Sequence, residues 1–390
     1  MKKCLILLTI LAFFQSSFSQ SRWNISGKVK SASSNAPLNA ASVFISNSTK
    51  GTFTDTAGRF SISGLDNGTY NLIISSIGYE TQVNQIVVND KSINVTIAMK
   101  DTATELENIV ITLKNGDRKD ELKVFRKAFI GTDKNAKKTD ILNEDILRIH
   151  SDESGKILTA HSNDFLVITN NALGYKIKFL LKEFSYNKKT TDLHYIGYPL
   201  FEEMKSNSAA QMHEWKENRE KTYQSSSLRF FRSLGKRNLI QQGYILGDLT
   251  TPEVDRIAQS RGVANKPFIP SNGFLLTVQN QQYIDTLYWP EIPYYKIMTA
   301  LPGHKYVLNF HGMISVDATD ASGGANETDY YKPGARTSIV TLKGPVGINE
   351  DGLPEDPSKI IYYGYWMDLR IADLLPLDYN PSENKSPSLQ

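Results

Sequence analysis

Ser92-Ile93-Asn94-Val95-Thr96-Ile97-Ala98-Met99 alternates apolar and small or polar side chains without a break. Successive side chains of a strand point to opposite faces, so this stretch reads as a β-strand with one buried and one wet face. The same alternation appears at Phe60 and Ile62 and at Tyr70, Leu72 and Ile74. Between these runs lie Asp55-Thr56-Ala57-Gly58 and Asp66-Asn67-Gly68, residues that tolerate positive φ and close tight turns. Short strands separated by such turns from Trp23 to Met99 predict an all-β sandwich of about 80 residues.

Upstream, Met1, Lys2 and Lys3 precede an apolar run from Cys4 to Phe14 and then Gln15-Ser16-Ser17-Phe18-Ser19-Gln20. That order predicts a secretory signal peptide over residues 1–19, because the run falls short of the roughly 20 apolar residues a spanning helix needs. Cys4 is the only cysteine and leaves with the leader, so the mature chain is expected to have no thiol chemistry, disulfide or cysteine metal ligand. Lys+Arg number 44 and Asp+Glu 41, and losing Lys2 and Lys3 leaves 42 against 41. A near-neutral balance argues against duplex nucleic acid as a partner, which would call for a concentrated basic face. No later stretch approaches 18 apolar residues, so no transmembrane segment is expected after cleavage, and the product reads as soluble or peripherally attached.

Within the predicted sandwich, Gly27-Lys28-Val29, Pro37-Leu38, Ala41-Ser42-Val43, Gly51-Thr52, Thr54-Asp55, Gly58-Arg59-Phe60 and Ser76-Ile77-Gly78-Tyr79-Glu80 resemble the carboxypeptidase-regulatory-like domain in order and spacing. The resemblance implies a transthyretin-like or Ig-like β-sandwich over residues 22–99, with the glycines and Asp55 as turn residues, and implies no catalysis. Leu106-Glu107-Asn108-Ile109-Val110-Ile111-Thr112 resembles the segment that follows this module in TonB-dependent outer-membrane receptors. Roughly 270 residues remain, too few for a plug and a 22-stranded barrel, so the receptor reading is set aside. Residues 100–118 are then a linker or β-prone segment, packing within its own domain or pairing with a sheet edge.

Residues 119–390 are expected to form a larger α+β domain with a mainly antiparallel sheet, making the chain mainly β overall. A short amphipathic helix over Asp120–Phe129 carries Leu122, Phe125 and Phe129. Strands are predicted near 157–160, 165–169, 175–183, 191–198, 273–279, 306–310, 338–342 and 359–367, with Asn170-Asn171-Ala172-Leu173-Gly174 as a hairpin connection. A second helical region spans about Ala209 to Leu234. Asn171-Ala172-Leu173-Gly174-Tyr175, Gly197-Tyr198-Pro199-Leu200-Phe201, Arg229-Phe230-Phe231-Arg232-Ser233-Leu234 and Asp373-Leu374-Leu375-Pro376-Leu377-Asp378-Tyr379 are similar to exported Bacteroidetes proteins described only as carboxypeptidase-like regulatory-domain-containing. That resemblance brings no reaction or ligand with it.

Several constellations invite a chemical test. His150-Ser151-Asp152-Glu153 has the spacing of a His and a Glu that share a zinc ion, and His304 or His311 is the available third ligand. One such match among 6 histidines and 41 acids is cheap, and His150 and Glu153 read as solvated residues near a strand end. The chain carries no Gly-x-Ser-x-Gly elbow, phosphate loop or dinucleotide fingerprint, and Ser33-Ser34 and Ser225 to Ser227 have no assignable base. Two loops, 317–330 with Asp317, Asp320, Glu327 and Asp329, and 349–357 with Asn349, Glu350, Asp351, Glu355 and Asp356, are rich in the oxygens that calcium takes but lack EF-hand spacing. No catalytic, cofactor or metal residue is therefore assigned.

Arg229, Arg232, Lys236 and Arg237 share a helical face beside Phe230, Phe231 and Leu234, read as a basic solvent face over a buried aromatic stripe or as a contact with anionic head groups. Trp215, Tyr288, Trp289, Tyr294 and Tyr295 are core or packed loop, or else a sugar platform. Asp-Thr-Ala at 55–57 and 101–103 and Asp285-Thr286-Leu287 resemble a Bacteroidetes O-glycosylation sequon. The function these readings favour is a non-enzymatic cell-envelope protein, periplasmic or outer-membrane-associated, that contacts an envelope protein or glycan. The alternative is a hydrolase with an unrecognised site in 119–390.

Overall fold

The structure is a computed structural model that describes residues 22–102, 115–248, 292–301, 305–318, 337–349, 352–355 and 359–381. Seven strands build its N-terminal unit: β1 (Trp23–Ser31), β2 (Ser42–Ile45), β3 (Gly51–Phe53), β4 (Arg59–Leu65), β5 (Gly68–Ser75), β6 (Gln82–Val88) and β7 (Ile93–Met99). They form two sheets, ordered β4-β1-β7 and β3-β2-β5-β6, and the strand quoted at the outset lies parallel to β1 from Ile25↔Ile93 to Ser31↔Met99. Ile25, Val29, Phe60, Leu72, Ile97 and Met99 meet between the sheets, as the alternation requires. The carboxylate of Asp55 accepts the Arg59 and Ala57 N–H groups at 2.8 and 2.9 Å, and these bonds hold it below its ordinary pKa. Gly58 has φ +71° and stands where a Cβ would lie 2.4 Å from the Val29 carbonyl oxygen, so only glycine closes this turn.

The next unit is a meander with a helix on one face. It comprises α1 (Asn115–Phe129), β8 (Thr139–Ile141), β9 (Leu147–Ser151), β10 (Ile157–Ser162), β11 (Leu166–Asn170), β12 (Tyr175–Asn187) and β13 (Leu193–Glu203). Strand β12 pairs with β13 along one side, while β11 and then β10 share its other side, and β8 and β9 pair with β11 and β10 in turn. Four long antiparallel passes result, two of them interrupted. Asn143 holds the interruption, donating to the Phe165 carbonyl at 2.9 Å and accepting the Val167 N–H at 2.7 Å. The 170–174 connection closes the β11–β12 hairpin as its sequence predicts.

Helix α1 begins at Asn115, so residues 115–118 of the expected linker are helical. Their polar character gave no periodic signal, and Arg118 fastens the opening turn by donating to the Glu144 and Leu147 carbonyls, both at 3.2 Å. Phe125 and Phe129 pack onto Phe184 and Phe179 with ring centroids 4.7 and 5.1 Å apart.

The expected second helix is two helices, α2 (Ala209–Gln224) and α3 (Ser227–Gly235). Ser225 and Ser226 cause the break: the Ser225 N–H closes α2 on Thr222 and Tyr223, and the Ser226 hydroxyl caps α3 by accepting the Arg229 N–H at 3.2 Å. The described residues beyond form β14 (Tyr244–Asp248), β15 (Met298–Leu301), β16 (Lys305–Leu308), β17 (Met313–Ala318), β18 (Thr337–Leu342), β19 (Val346–Ile348), β20 (Ile360–Gly364) and the single turn α4 (Tyr365–Asp368). Two antiparallel sheets result, β14-β17-β18-β20 and β15-β16-β19, over a core that includes Phe230, Phe231, Leu234, Tyr244 and Trp366. The strand expected over 359–367 ends at Gly364, whose φ of +69° turns the chain into α4. This core is separate from the one under α1, so residues 115–381 carry two hydrophobic centres. The fold is mainly β, with antiparallel sheets behind an N-terminal sandwich. Among the described residues no helix is long and apolar enough to cross a membrane.

Candidate interaction surface

The motif residues of the larger half serve the chain's own backbone. Helix α2 grips the β11–β12 hairpin: Trp215 Nε1 donates to the Asn171 carbonyl at 2.9 Å, Asn218 to Ala172 at 3.0 Å, and Arg219 to Leu173 and Gly174 at 2.6 and 3.0 Å. Four successive carbonyls thus each receive a side-chain donor. The Arg219 guanidinium lies 4.0 Å from the centre of the Tyr175 ring and also reaches Glu203. Burial pushes the Tyr175 phenol well above its ordinary pKa. Trp215 is therefore no sugar platform, since its N–H is committed and its ring is buried.

The two arginines of α3, Arg229 and Arg232, turn inward instead of forming a solvent face or a head-group contact, while Lys236 and Arg237 follow the helix. Arg229 is buried over the Tyr244 ring and donates to the Gln242 and Gln224 carbonyls at 2.9 and 3.3 Å. Arg232 donates to the Tyr379 and Leu377 carbonyls at 2.7 and 2.8 Å. Arg237 donates to the Tyr306 hydroxyl at 2.8 Å while staying exposed, and Lys236 beside it is exposed as well.

Arg232 holds a strap, residues 369–381, that touches all three units. Asn170 donates to the Ala372 carbonyl at 2.8 Å, and Asn135 to the Asp373 carboxyl at 2.9 Å. The Leu377 N–H reaches the Asn47 carbonyl of the sandwich at 2.6 Å, and Asp378 accepts the Thr49 N–H and hydroxyl at 3.0 and 2.5 Å. Burial, and then the hydrogen-bonded Asp133 carboxyl, raise the Asp373 pKa to about 7.

The turn after β2 also joins the edge of β13: Asn47 N–H donates to the Pro199 carbonyl at 2.8 Å and Phe201 N–H to Ser48 at 2.9 Å. Beside it Phe44 and Ile73, on the outer face of the β3-β2-β5-β6 sheet, are buried against Leu200, Phe165 and Tyr198. The sandwich is thus docked on the meander. Replacing Asp378 by alanine is expected to weaken this docking by about 1 kcal/mol, seen as faster protease cleavage between the units; unchanged cleavage would show that the apolar seam suffices.

Part of the outer face stays uncovered. Phe53 is 60% exposed, Val83 42% and Val87 49%, and Ile77, at the turn before β6, is 95% exposed. Strand registry places Val83 beside Ile73, so the apolar row that begins under Leu200 runs out into solvent. No signal along the sequence marked this strip, because Val83 and Val87 look like ordinary members of a strand.

The tested constellations are placed as follows. His150 is exposed in β9 opposite Thr159, and Glu153 is exposed in the following turn. Between them the Asp152 carboxylate accepts the Ile157 and Lys156 N–H groups at 2.9 and 2.8 Å, which holds its pKa low. His311 is exposed before β17, and Tyr295 is exposed beside Tyr294 at a ring separation of 6.0 Å. Asn349 accepts the Leu353 N–H at 2.8 Å, and Glu355 lies across Gly347. Among the described residues no three His, Cys, Asp or Glu side chains converge as metal ligands. The leader, segment 106–112, strand 273–279, His304, Tyr288, Trp289, the 285–287 sequon, Asp320, Glu327, Asp329, Glu350, Asp351 and Asp356 lie outside the described residues. Two further histidines, His161 and His194, line a groove of about 280 Å³ with Lys182 and Glu183 that sequence reading passed over.

Two sheets closed by Asp55 and Gly58, on a chain with the motif spacing quoted above, bear directly on the family. Residues 25–111 match the family model of the CarboxypepD_reg-like domain. The CarboxypepD_reg-like unit is therefore the docked sandwich and the residues that follow it. No curated protein matches the chain. Similar solved structures include the group B streptococcus pilus 2b backbone protein, 19% identical over 21% of this chain and 42% of that one, with a TM-score of 0.19. A Coh3ScaB-XDoc_M2ScaA type II cohesin-X-dockerin complex from Acetivibrio cellulolyticus is 26% identical over 20% of this chain and 56% of that one, TM-score 0.18. The C-terminal domain of shaft pilin spaA from Lactobacillus rhamnosus GG is 18% identical over 21% of this chain and 99% of that one, TM-score 0.18. The chain thus spans about half the length of the first two.

Proposed function

We propose that the chain is an exported, non-enzymatic cell-envelope protein whose CarboxypepD_reg-like unit is a docked interaction module for an envelope protein or glycan. The observation that carries this reading is the uncovered apolar strip of Phe53, Val83 and Val87 with Ile77 beside it, on a sandwich already anchored by Asn47, Ser48 and Thr49. The polar side chains Trp215, Asn218, Arg219, Arg229 and Arg232 are spent on main-chain carbonyls of the chain itself. The leader expected over residues 1–19 supports export, and the reading places the product in the periplasm or at the outer membrane.

A photo-crosslinking residue at Ile77 or Val83, used in the intact source cell, is expected to capture envelope components. The same residue at His150, on the meander, is expected to capture none. Capture at His150 alone, or recovery in the cytoplasmic fraction, would overturn the proposal.

A further inference from the structure

Strand β6 reads Gln82-Val83-Asn84-Gln85-Ile86-Val87-Val88 and holds no charge and no proline. It ends its sheet, pairing with β5 in unbroken register from Gly68↔Val88 to Ile74↔Gln82. Among the described residues no backbone hydrogen bond reaches its other side. Such an edge is a template for another strand, and proteins blunt edges with lysine, proline or a bulge, none of which is present here. Strand β7 is also an uncharged edge, but its exposed positions are Asn94, Thr96 and Ala98, and its Ala98 carbonyl is taken by Gln82 at 2.6 Å. Of these two edges, β6 is the one that exposes large apolar side chains along its length.

We propose that two copies of the chain pair through antiparallel β6 strands centred on Gln85. Residues opposite one another in antiparallel strands point to the same face. About a two-fold axis at Gln85, Val83 of one copy therefore meets Val87 of the other, twice over, and Gln85 meets itself. All four exposed valines leave water on the outer face. The row that begins with Phe44 and Ile73 beneath Leu200 then continues through Val83 into the second copy, so the pairing extends an interface the fold already uses. The absence of charge along β6 removes the like-charge opposition that self-pairing would otherwise create. A second copy fits better than an unrelated strand because the exposed valines are placed symmetrically about one residue.

This inference rests on reading the sandwich as an interaction module, and its test separates the two. In the full chain with Cys4→Ser, Gln85→Cys is expected to give a disulfide-linked dimer on mild oxidation, since opposed Cα atoms of about 4.5–5.5 Å fall within disulfide range. Val83→Cys is expected to cross-link only when mixed with Val87→Cys. In sedimentation, Val83→Lys with Val87→Lys should raise the dimer dissociation constant at least about tenfold, while Val83→Glu with Val87→Lys, which sets opposite charges face to face, should restore most of it. These positions are exposed, and the register-specific cross-link does not depend on the stability of any variant. A chain that stays monomeric at all concentrations, or a dimer that ignores the lysines and lacks the Gln85→Cys bond, overturns the pairing. Foreign envelope components captured at Val83 by such a monomer would leave the proposed function standing.

Discussion

Replacing Gly174 by alanine is expected to cost about 4 kcal/mol of unfolding free energy, among the largest effects open to a single methyl group. Two terms add. The residue has φ +68°, a conformation that strains an L side chain by about 1–2 kcal/mol. A Cβ there would also lie 2.3 Å from Trp215 Cδ2, and overpacking of that kind costs about 1–3 kcal/mol. Trp215 has no easy retreat, being buried with its N–H bonded to Asn171. Gly155 supplies the control, with φ +66° and nothing within 4 Å of its would-be Cβ, so its alanine variant should lose only about 1–2 kcal/mol. Denaturant unfolding of both variants checks the argument. Equal losses would mean that Trp215 yields and that α2 does not lock the hairpin.

The second large effect belongs to Asp373. Its folded pKa of about 7 stands above the ordinary 3.8, so between roughly pH 4 and 7 the folded chain keeps a proton that the unfolded chain has released. Stability from this group is fully present below about pH 4, declines as the pH rises towards 7, and is level beyond. The decline amounts to at most about 4 kcal/mol. Asp373→Asn keeps an oxygen for Asn135 and offers an N–H to Asp133, and it is expected to flatten the decline and to be the more stable protein above pH 7. Chemical unfolding of both proteins across pH 4 to 8 reads the difference directly. Parallel curves would sink the assignment.

Much of the sandwich was legible because period-two alternation and turn chemistry are local. Ser92 to Met99 needs no distant partner to declare its two faces, and Asp55 and Gly58 act within four residues of themselves. The interaction strip was not legible. Ile73 and Val83 are adjacent in the sheet and similar in kind, yet one is buried and the other open because β13 covers the first and stops before the second. The break between α2 and α3 was hidden for another reason: the apolar spacing continues across Ser225 and Ser226, and a serine shows itself as a cap only when the backbone turns.

The charged motifs mark the limit most clearly. Arg229 and Arg232 on an amphipathic helix read as a wet basic face, since an arginine in isolation prefers water. In the fold they donate to main-chain carbonyls, and those of Leu377 and Tyr379 arrive from about 145 residues away. A buried guanidinium is stable only where such acceptors converge. Patterning along the chain determined the mainly β class, the N-terminal sandwich, its turns and the β11–β12 hairpin, because each depends on neighbours a few residues apart. Docking of the sandwich, the strap that ties three units together, the inward use of the arginines and the apolar edge left open on β6 were decided by tertiary structure alone. Each depends on which distant backbone groups and faces the packed chain brings together.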